Sequence, residues 1–128
     1  MNATILIVDD EPKDCKLLEL LLRPEGYRTV SVGSGEGAMA EVARHAPDLI
    51  LLDVMMPGMD GVDTLRALRE IPETVSTPVI FLTARVQPAD VAKYKELDSL
   101  AVIRKPFEPT ALVETIHEIW TRHRGEVH

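Results

Sequence analysis

The chain has 128 residues, 45% of them hydrophobic and 27% charged, and its 14 Lys and Arg against 21 Asp and Glu give a net charge of −7. This length predicts one domain with a hydrophobic core, and the acidic balance argues against a surface that binds nucleic acid by neutralising phosphates. No apolar run approaches the roughly 20 residues needed to cross a bilayer, no signal peptide is evident, and Cys15 is the only cysteine, so we expect a cytoplasmic protein without membrane contact.

Apolar runs alternate with helical patterns in the first half of the chain. The run "TILIV" at 4–8 is short and rich in β-branched residues, which predicts a strand buried on both faces. Pro12 suits the first turn of a helix that ends at "PEG". The next segments predict an edge strand over 27–32, a helix over 35–46 and a buried strand over 48–53. The residues of that second helix expected to face the core are Ala38, Met39, Val42 and Ala46.

The second half continues the alternation. Asp60 is the predicted N-cap of the third helix, which carries apolar residues at helical spacing. The following segments predict a strand over 78–83, a weak helix over 88–97, a strand over 100–103 and a helix over 108–123. Five strands that alternate with five helices predict a doubly wound α/β fold, in which helices cover both faces of a parallel sheet. No linker divides the chain, so we expect one domain over 1–128 and no output domain.

Polar residues follow the predicted strands at one end. Asp9 and Asp10 end the first strand, Asp53 the third, Thr83 the fourth and Lys105 the fifth. Ligands of open parallel sheets bind at the carboxyl ends of the strands, so these side chains are expected to meet. Taken singly, an aspartate or threonine here can be a cap or turn residue, and a lysine is usually solvated. Their occurrence together at four strand ends favours a functional site.

The expected chemistry is phosphoryl transfer. Three neighbouring carboxylates need a cation, and Mg²⁺ prefers oxygen ligands and keeps open positions for phosphoryl oxygens. Asp53 can then act as a nucleophile that forms an aspartyl phosphate. Thr83 offers a hydroxyl donor to the phosphoryl group, and Lys105 offers a positive charge.

Four motifs carry a family resemblance. They are "VDDE" at 8–11, "LLDVMMPGMDG" at 51–61, "FLTA" at 81–84 and "RKPF" at 104–107. In this order and spacing they resemble the receiver domain of bacterial two-component response regulators. The resemblance implies a flavodoxin-like sheet of order 2-1-3-4-5, which is not worked out from the residues. It also implies a cis peptide between Lys105 and Pro106.

The resemblance assigns roles to the same residues. Asp53 would accept phosphate from a phosphohistidine, while Thr83 and Lys105 would contact the phosphoryl group. Mg²⁺, for which Mn²⁺ can substitute, would be bound by Asp10, Asp53 and the backbone carbonyl of Met55, with Asp9 acting through water. The role of Glu11 stays open.

The resemblance also implies partners. A sensor histidine kinase or a phosphotransfer protein would supply the phosphate. A downstream protein would bind the face formed by helix four, strand five and helix five. A stand-alone receiver acting as a monomer or weak dimer is expected, and Met1 just ahead of strand one fits a natural start. A receiver cut from a longer response regulator or hybrid kinase is the alternative.

Two positions depart from the family pattern. Val102 stands where an aromatic residue is usual on strand five, so we predict that Thr83 still moves on phosphorylation but that the 84–97 segment carries the change. Asp98-Ser99 replaces a common Gly-Ala pair, and a left-handed turn there would strain Asp98, so the entry to strand five is expected to be rearranged.

Other readings of the sequence are weaker. "GSGEG" at 33–37 resembles a phosphate-binding loop but lacks its spacing and lysine, so a strand-to-helix turn is favoured. The four histidines are dispersed and show no metal-ligand spacing. Cys15 falls on an apolar helix face, so an inert core cysteine is expected. Met55, Met56 and Met59 fit either apolar shielding or a partner surface. Two other functions stay open: an aspartyl-phosphate phosphohydrolase, and a pseudo-receiver that binds partners without taking phosphate.

Overall fold

The computed structural model describes residues 3–84, 87–97 and 99–127. These residues form five strands and five α-helices in strict alternation, together with a short 3-10 turn over Arg23–Glu25. The strands are β1 (Thr4–Val8), β2 (Arg28–Val32), β3 (Leu49–Asp53), β4 (Val79–Thr83) and β5 (Ala101–Arg104). The helices are α1 (Pro12–Leu22), α2 (Gly35–His45), α3 (Gly61–Leu68), α4 (Pro88–Glu96) and α5 (Pro109–Val127).

The sheet has the order β2-β1-β3-β4-β5, and every neighbouring pair is parallel. The doubly wound α/β fold with strand order 2-1-3-4-5 is therefore confirmed, and β2 is an edge strand as expected. In the register, Val8 lies opposite Leu52, and Asp53 lies opposite Leu82. The residues that follow β1, β3 and β4 consequently meet at one edge of the sheet.

Two apolar layers cover the sheet, one on each face. The central strands β3 and β4 are buried along their whole length because both faces are covered. One layer packs α1 and α5 on the sheet, and its buried helical residues are Leu18, Leu22, Leu112, Ile116 and Trp120. The other packs α2, α3 and α4, and its buried helical residues are Ala38, Val42, Leu65, Leu68 and Tyr94.

Side-chain caps begin the helices that flank the site. Asp60 accepts a hydrogen bond from the Asp63 amide at 2.8 Å, so the predicted N-cap of α3 is confirmed. Ser34 caps α2 by accepting from the Gly37 amide at 2.9 Å. The "GSGEG" stretch is therefore a strand-to-helix turn with its own capping hydroxyl.

Several predicted boundaries were wrong by one or more residues. Ala46 does not face the core: it ends α2 in a left-handed conformation with φ 44° and is exposed. Tyr27 precedes β2, where its hydroxyl hydrogen-bonds with Nδ1 of His117 on α5 at 3.2 Å. Leu100 precedes β5, which ends at Arg104 rather than Ile103. Helix α5 runs four residues beyond the predicted end, to Val127.

The entry to strand five is described only in part. Asp98 lies outside the described residues, so the left-handed turn expected there is not addressed. Ser99 donates its hydroxyl to the Tyr94 carbonyl at 3.0 Å, which satisfies an acceptor near the end of α4. Within the described part of the chain, no helix is long and apolar enough to span a membrane.

Candidate functional site

Three carboxylates meet at the carboxyl edge of the sheet. One oxygen each from Asp9, Asp10 and Asp53 lies within 4.8 Å of the others. Asp9 and Asp53 are buried and Asp10 is exposed, so the group opens to solvent through Asp10. The parallel pairing of β1 with β3 places them together, because both strands end at this edge. The donor set is all oxygen and acidic, which fits Mg²⁺.

The amide and both carboxylate oxygens of Asp9 have partners. Its amide donates to the Val32 carbonyl at 3.1 Å, which continues the pairing of β1 with β2. Its Oδ1 accepts from the Glu11 amide at 2.9 Å, and its Oδ2 lies 2.9 Å from Nζ of Lys105. Asp9 is thus oriented by the backbone at the start of α1 and neutralised by a lysine.

Glu11 has a local structural role that the sequence left open. It is the N-cap of α1, and its Oε1 accepts from the Lys13 amide at 3.4 Å. The consecutive acids after β1 therefore divide into two groups. Asp9 and Asp10 belong to the carboxylate cluster, whereas Glu11 begins the helix.

Lys105 links three carboxylates. Among the described residues, its Nζ lies 2.9 Å from Asp9, 3.0 Å from Asp14 and 3.4 Å from Asp53. Burial disfavours the ammonium, but the hydrogen bonds to Asp9 and Asp14 and the charges of Asp9 and Asp53 outweigh it and raise the lysine pKa above its ordinary value. Lys105 is consequently charged at any physiological pH.

The sequence did not identify Asp14 as a residue of this edge, because Asp14 does not end a strand. It lies in the first turn of α1, where a helix that starts beside β1 directs it toward Lys105. An acid in the first turn of a helix is common because it complements the helix dipole, so the residue type alone gives no functional signal. Asp14 is recognised as part of this edge only by its short distance to Lys105, which cannot be read from the sequence.

Asp53 is a buried carboxylate that lies close to both a negative and a positive side chain. Burial raises its pKa from 3.8 to about 7, and the negative charge of Asp9 adds to the effect. Lys105 and the Met55 amide, which donates to Oδ1 at 3.1 Å, act in the opposite direction. A cation beside Asp53 would favour the ionised, nucleophilic form.

Gly61 lets the start of α3 lie directly against the end of β3. A Cβ at this position would collide with the carbonyl oxygen of Asp53 and lie 2.7 Å from Cα of Val54. The Gly61 amide donates to the Val54 carbonyl at 3.0 Å, which ties the helix to the strand end. The backbone of Asp53 is therefore confined on the α3 side.

Thr83 and Lys105 come from neighbouring strand ends. Thr83 is fully buried at the end of β4, and its carbonyl accepts from the Lys105 amide at 2.9 Å. Lys105 follows the last residue of β5 and precedes Pro106, and the peptide between them is cis, as expected. The structure thus brings Lys105 to the Asp cluster and connects it through the backbone to Thr83.

The methionines of the loop after β3 are divided between core and surface. Met56 is buried, whereas the side chain of Met55 is 52% exposed. Together with Tyr94 of α4 they line a cavity of about 430 Å³ between this loop and α4. The predicted contact of the Met55 carbonyl with a metal stays a prediction.

Cys15 packs against the apolar layer of α1 and α5 and also borders the site. It is half-buried, and its thiol donates to the Asp9 carbonyl at 3.3 Å. Burial and the charge of Asp9 raise its pKa to about 11, so the thiol stays protonated and unreactive at neutral pH. The expectation of an inert cysteine agrees with this environment.

Val102 faces the core where the family usually has an aromatic ring. It is half-buried on β5 opposite Phe81 of β4, in the layer that contains Tyr94 of α4. The aromatic side chains near this face are therefore on β4 and α4.

Sequence and structure comparisons place these features among known proteins. The family model described as "Response regulator receiver domain" matches residues 5–117. The chain is 37% identical over 126 residues to "DNA-binding response regulator MtrA" of Mycolicibacterium smegmatis, covering 98% of this chain and 54% of that protein. It is 38% identical over 119 residues to "Response regulator PleD" of Caulobacter vibrioides, covering 93% and 26%. The chain thus spans about half the length of MtrA and about a quarter of PleD.

Solved structures agree with this relationship. A putative response regulator from Chloroflexus aurantiacus has a TM-score of 0.86 at 34% identity and covers 94% of this chain and 99% of its own. The chemotaxis protein CheY4 of Vibrio cholerae has a TM-score of 0.86 at 28% identity, with coverage of 93% and 99%. From the family match, the shared fold and the acidic edge of the sheet, we conclude that the chain belongs to the receiver domains of two-component response regulators, a family of phosphorylatable signalling switches.

Proposed function

We propose that Asp53 is the phosphoacceptor of this receiver domain. The single observation that carries the proposal is the position of its carboxylate, which lies in a cluster with Asp9 and Asp10 and 3.4 Å from the ammonium of Lys105. Negative charge that develops on a transferred phosphoryl group at Asp53 would meet a fixed cation there. Three carboxylates beside one ammonium also leave a net negative charge, which favours a divalent cation.

The proposed step is an in-line transfer from a phosphohistidine. A carboxylate oxygen of Asp53 attacks phosphorus, a P–O bond forms, the P–N bond breaks, and the histidine nitrogen leaves with the bonding electron pair and takes a proton. Lys105 would contact one phosphoryl oxygen as a point charge. Thr83 would donate its hydroxyl to another oxygen after reorienting at the end of β4.

The proposed metal ligands are Asp10, Asp53 and the backbone carbonyl of Met55, with Asp9 acting through water. Receiver domains generally bind Mg²⁺ at an acidic pocket, and the described Asp cluster supplies oxygen donors of that kind. When bound, Mg²⁺ supplies charge neutralisation for the phosphoryl oxygens. Mn²⁺ can substitute because it accepts the same hard ligands.

A mass-spectrometric assay tests the assignment of Asp53. The protein is incubated with acetyl phosphate and Mg²⁺, and its intact mass is measured. We expect the gain of one phosphoryl group in the wild type and no gain in Asp53→Asn, which keeps the size of the side chain and removes its nucleophilic oxygen. Omission of Mg²⁺ with a chelator present should slow the gain. A phosphorylated Asp53→Asn variant would overturn the assignment.

The proposed partners follow from family membership. Receiver domains interact with histidine kinases or phosphotransfer proteins. We propose that one of these donates phosphate to Asp53 and that a downstream protein binds the face of α4, β5 and α5. The proposed state is a monomer or weak dimer, and the proposed location is the cytoplasm. That residues 1–128 are a single receiver domain is likewise a proposal.

Receiver domains are signalling switches and generally not metabolic enzymes. We accordingly propose that chemistry here is limited to phosphorylation and dephosphorylation of Asp53 itself. Turnover of an external phosphate ester by the wild type would instead favour a phosphohydrolase, and failure to accept phosphate from any donor would favour a pseudo-receiver.

A further inference from the structure

Asp14 is a partner of Lys105 that the proposed phosphoryl and metal chemistry does not use. Its Oδ2 lies 3.0 Å from Nζ of Lys105, but Asp14 is outside the group formed by Asp9, Asp10 and Asp53. The side chain of Asp14 is 27% exposed and that of Lys105 is 17% exposed, so solvent screens their attraction only in part. This contact fixes where the ammonium sits before any phosphoryl group arrives.

We propose that Asp14 is a positioning residue that competes with Asp53 for the Lys105 ammonium and thereby weakens the binding of a phosphoryl group there. The proposal rests on the assignment of Asp53 as phosphoacceptor and adds a determinant of how readily that residue is modified.

The hydrogen-bonding capacity of Lys105 supports the proposal. An ammonium has three N–H donors, and three carboxylates surround this one. The two shorter contacts, at 2.9 Å and 3.0 Å, are to Asp9 and Asp14, while the contact to Asp53 is 3.4 Å. A phosphoryl oxygen on Asp53 would attract the same ammonium, so Asp14 competes with the phosphoryl group for this cation.

The charge of Asp14 acts in the same direction. A carboxylate that shares a lysine with the phosphoacceptor lies close enough to repel an incoming anion. Asp9 also contacts Lys105, but it belongs to the carboxylate cluster that fits a divalent cation. Asp14 lies outside that cluster, and its negative charge stays available to Lys105 when a cation is bound. Removing only this charge should therefore strengthen the binding of a phosphoryl group.

Beryllofluoride, which stands in for the phosphoryl group, tests the proposal by calorimetry at saturating Mg²⁺. We expect Asp14→Asn to bind it roughly fivefold more tightly than the wild type, because a partly exposed ion pair contributes only a modest free energy. This variant should also accept phosphate from acetyl phosphate faster. Asp14→Glu, which keeps the charge, should bind near the wild-type affinity. Asp63→Asn is a matched control, because Asp63 occupies the corresponding first-turn position of α3 and is exposed.

A double-mutant comparison separates action through Lys105 from a general change of charge or structure. In a Lys105→Gln background, Asp14→Asn should no longer alter beryllofluoride affinity. If the wild type binds the mimic and Asp14→Asn binds it equally or more weakly, the proposal is wrong. An undiminished effect in the Lys105→Gln background would also overturn it. A wild type that binds no mimic and takes no phosphate would instead refute the assignment of Asp53.

Discussion

The rings of Phe81 on β4 and Tyr94 on α4 pack together, with centroids 5.5 Å apart and planes inclined by 56°. Tyr94 is the one buried residue of α4 among those described, and this ring contact joins the helix to β4. Phe81 lies two residues before Thr83 and opposite Val102. A movement of Thr83 can therefore be transmitted to α4 through β4 without a ring on β5.

We predict that α4 changes its environment when the site is occupied. Backbone amide chemical shifts of residues 89–96 in α4 and of the end of β4 should change on addition of beryllofluoride and Mg²⁺, because Phe81 and Tyr94 couple the two elements. Helix α2, which is not part of this ring pair, provides the comparison within the same spectrum. Asp53→Asn with the same additions is the control. Shift changes confined to the neighbours of Asp9, Asp10 and Asp53 would contradict the prediction.

The raised pKa of Asp53 predicts a pH-dependent stability of the metal-free protein. Between its ordinary value of 3.8 and its folded value of about 7, the folded state binds more protons than the unfolded state. The contribution of Asp53 to stability therefore decreases as pH rises from about 4 to about 7 and is constant above that. Asp53→Asn should have little effect near pH 4 and stabilise the protein by on the order of 4 kcal/mol above pH 7.

Urea unfolding in the presence of a chelator measures this difference across the pH range. Asp63→Asn removes an exposed carboxylate and should show no comparable trend. A stabilisation by Asp53→Asn that is equal at all pH values would indicate that the carboxylate of Asp53 ionises normally in the folded state.

The same pKa predicts how Mg²⁺ affinity depends on pH. Protons and metal compete for the carboxylate of Asp53, so affinity should fall by about tenfold for each pH unit below about 7. Calorimetric titrations with Mg²⁺ provide the measurement. Asp53→Asn should bind the metal more weakly and with a shallower pH dependence. An affinity that stays flat from neutral pH to about pH 4.5 would count against Asp9, Asp10 and Asp53 as the metal site.

Gly61→Ala should destabilise the protein by about 1–3 kcal/mol, because its Cβ would collide with the Asp53 carbonyl and force α3 away from β3. It should also slow phosphorylation by displacing Asp53. Gly33→Ala is the matched control, since a Cβ at Gly33 has no other atom within 4 Å. Denaturant unfolding and the acetyl phosphate assay measure the two effects. Equal stabilities for the two variants would mean that the contact at Gly61 relaxes without cost.

The sequence predicted most of the fold because local patterns and burial agree along the central strands. The apolar runs of β1, β3 and β4 have no polar residue inside them, so a strand buried on both faces is the simplest arrangement. Helix ends were less predictable. Ala46 has no glycine-like signal for its left-handed conformation, and α5 continues past His123 although Gly125 disfavours a helix.

The candidate site shows a similar division. The sequence predicted that Asp9, Asp53 and Lys105 lie together, because the carboxyl ends of parallel strands meet at one edge of the sheet. Asp14 could not be found that way, since its contact with Lys105 depends on the rotation of α1 about its axis. That rotation is set by the apolar face of the helix, including Leu18 and Leu22, against the sheet.

The close approach of Gly61 to the backbone of Asp53 bears on which helices would respond to phosphorylation of Asp53. The start of α3 lies so close to the end of β3 that a Cβ at Gly61 would collide with the Asp53 carbonyl. Helices α2 and α3 are also packed closely, because a Cβ at Gly35 would collide with the Thr64 side chain. On the same face of the sheet, α4 has Tyr94 as its one buried residue among those described. We infer that a phosphoryl group on Asp53 would displace α4 more readily than α3. On this view, the absence of a side chain at Gly61 would help to direct a response at Asp53 toward α4.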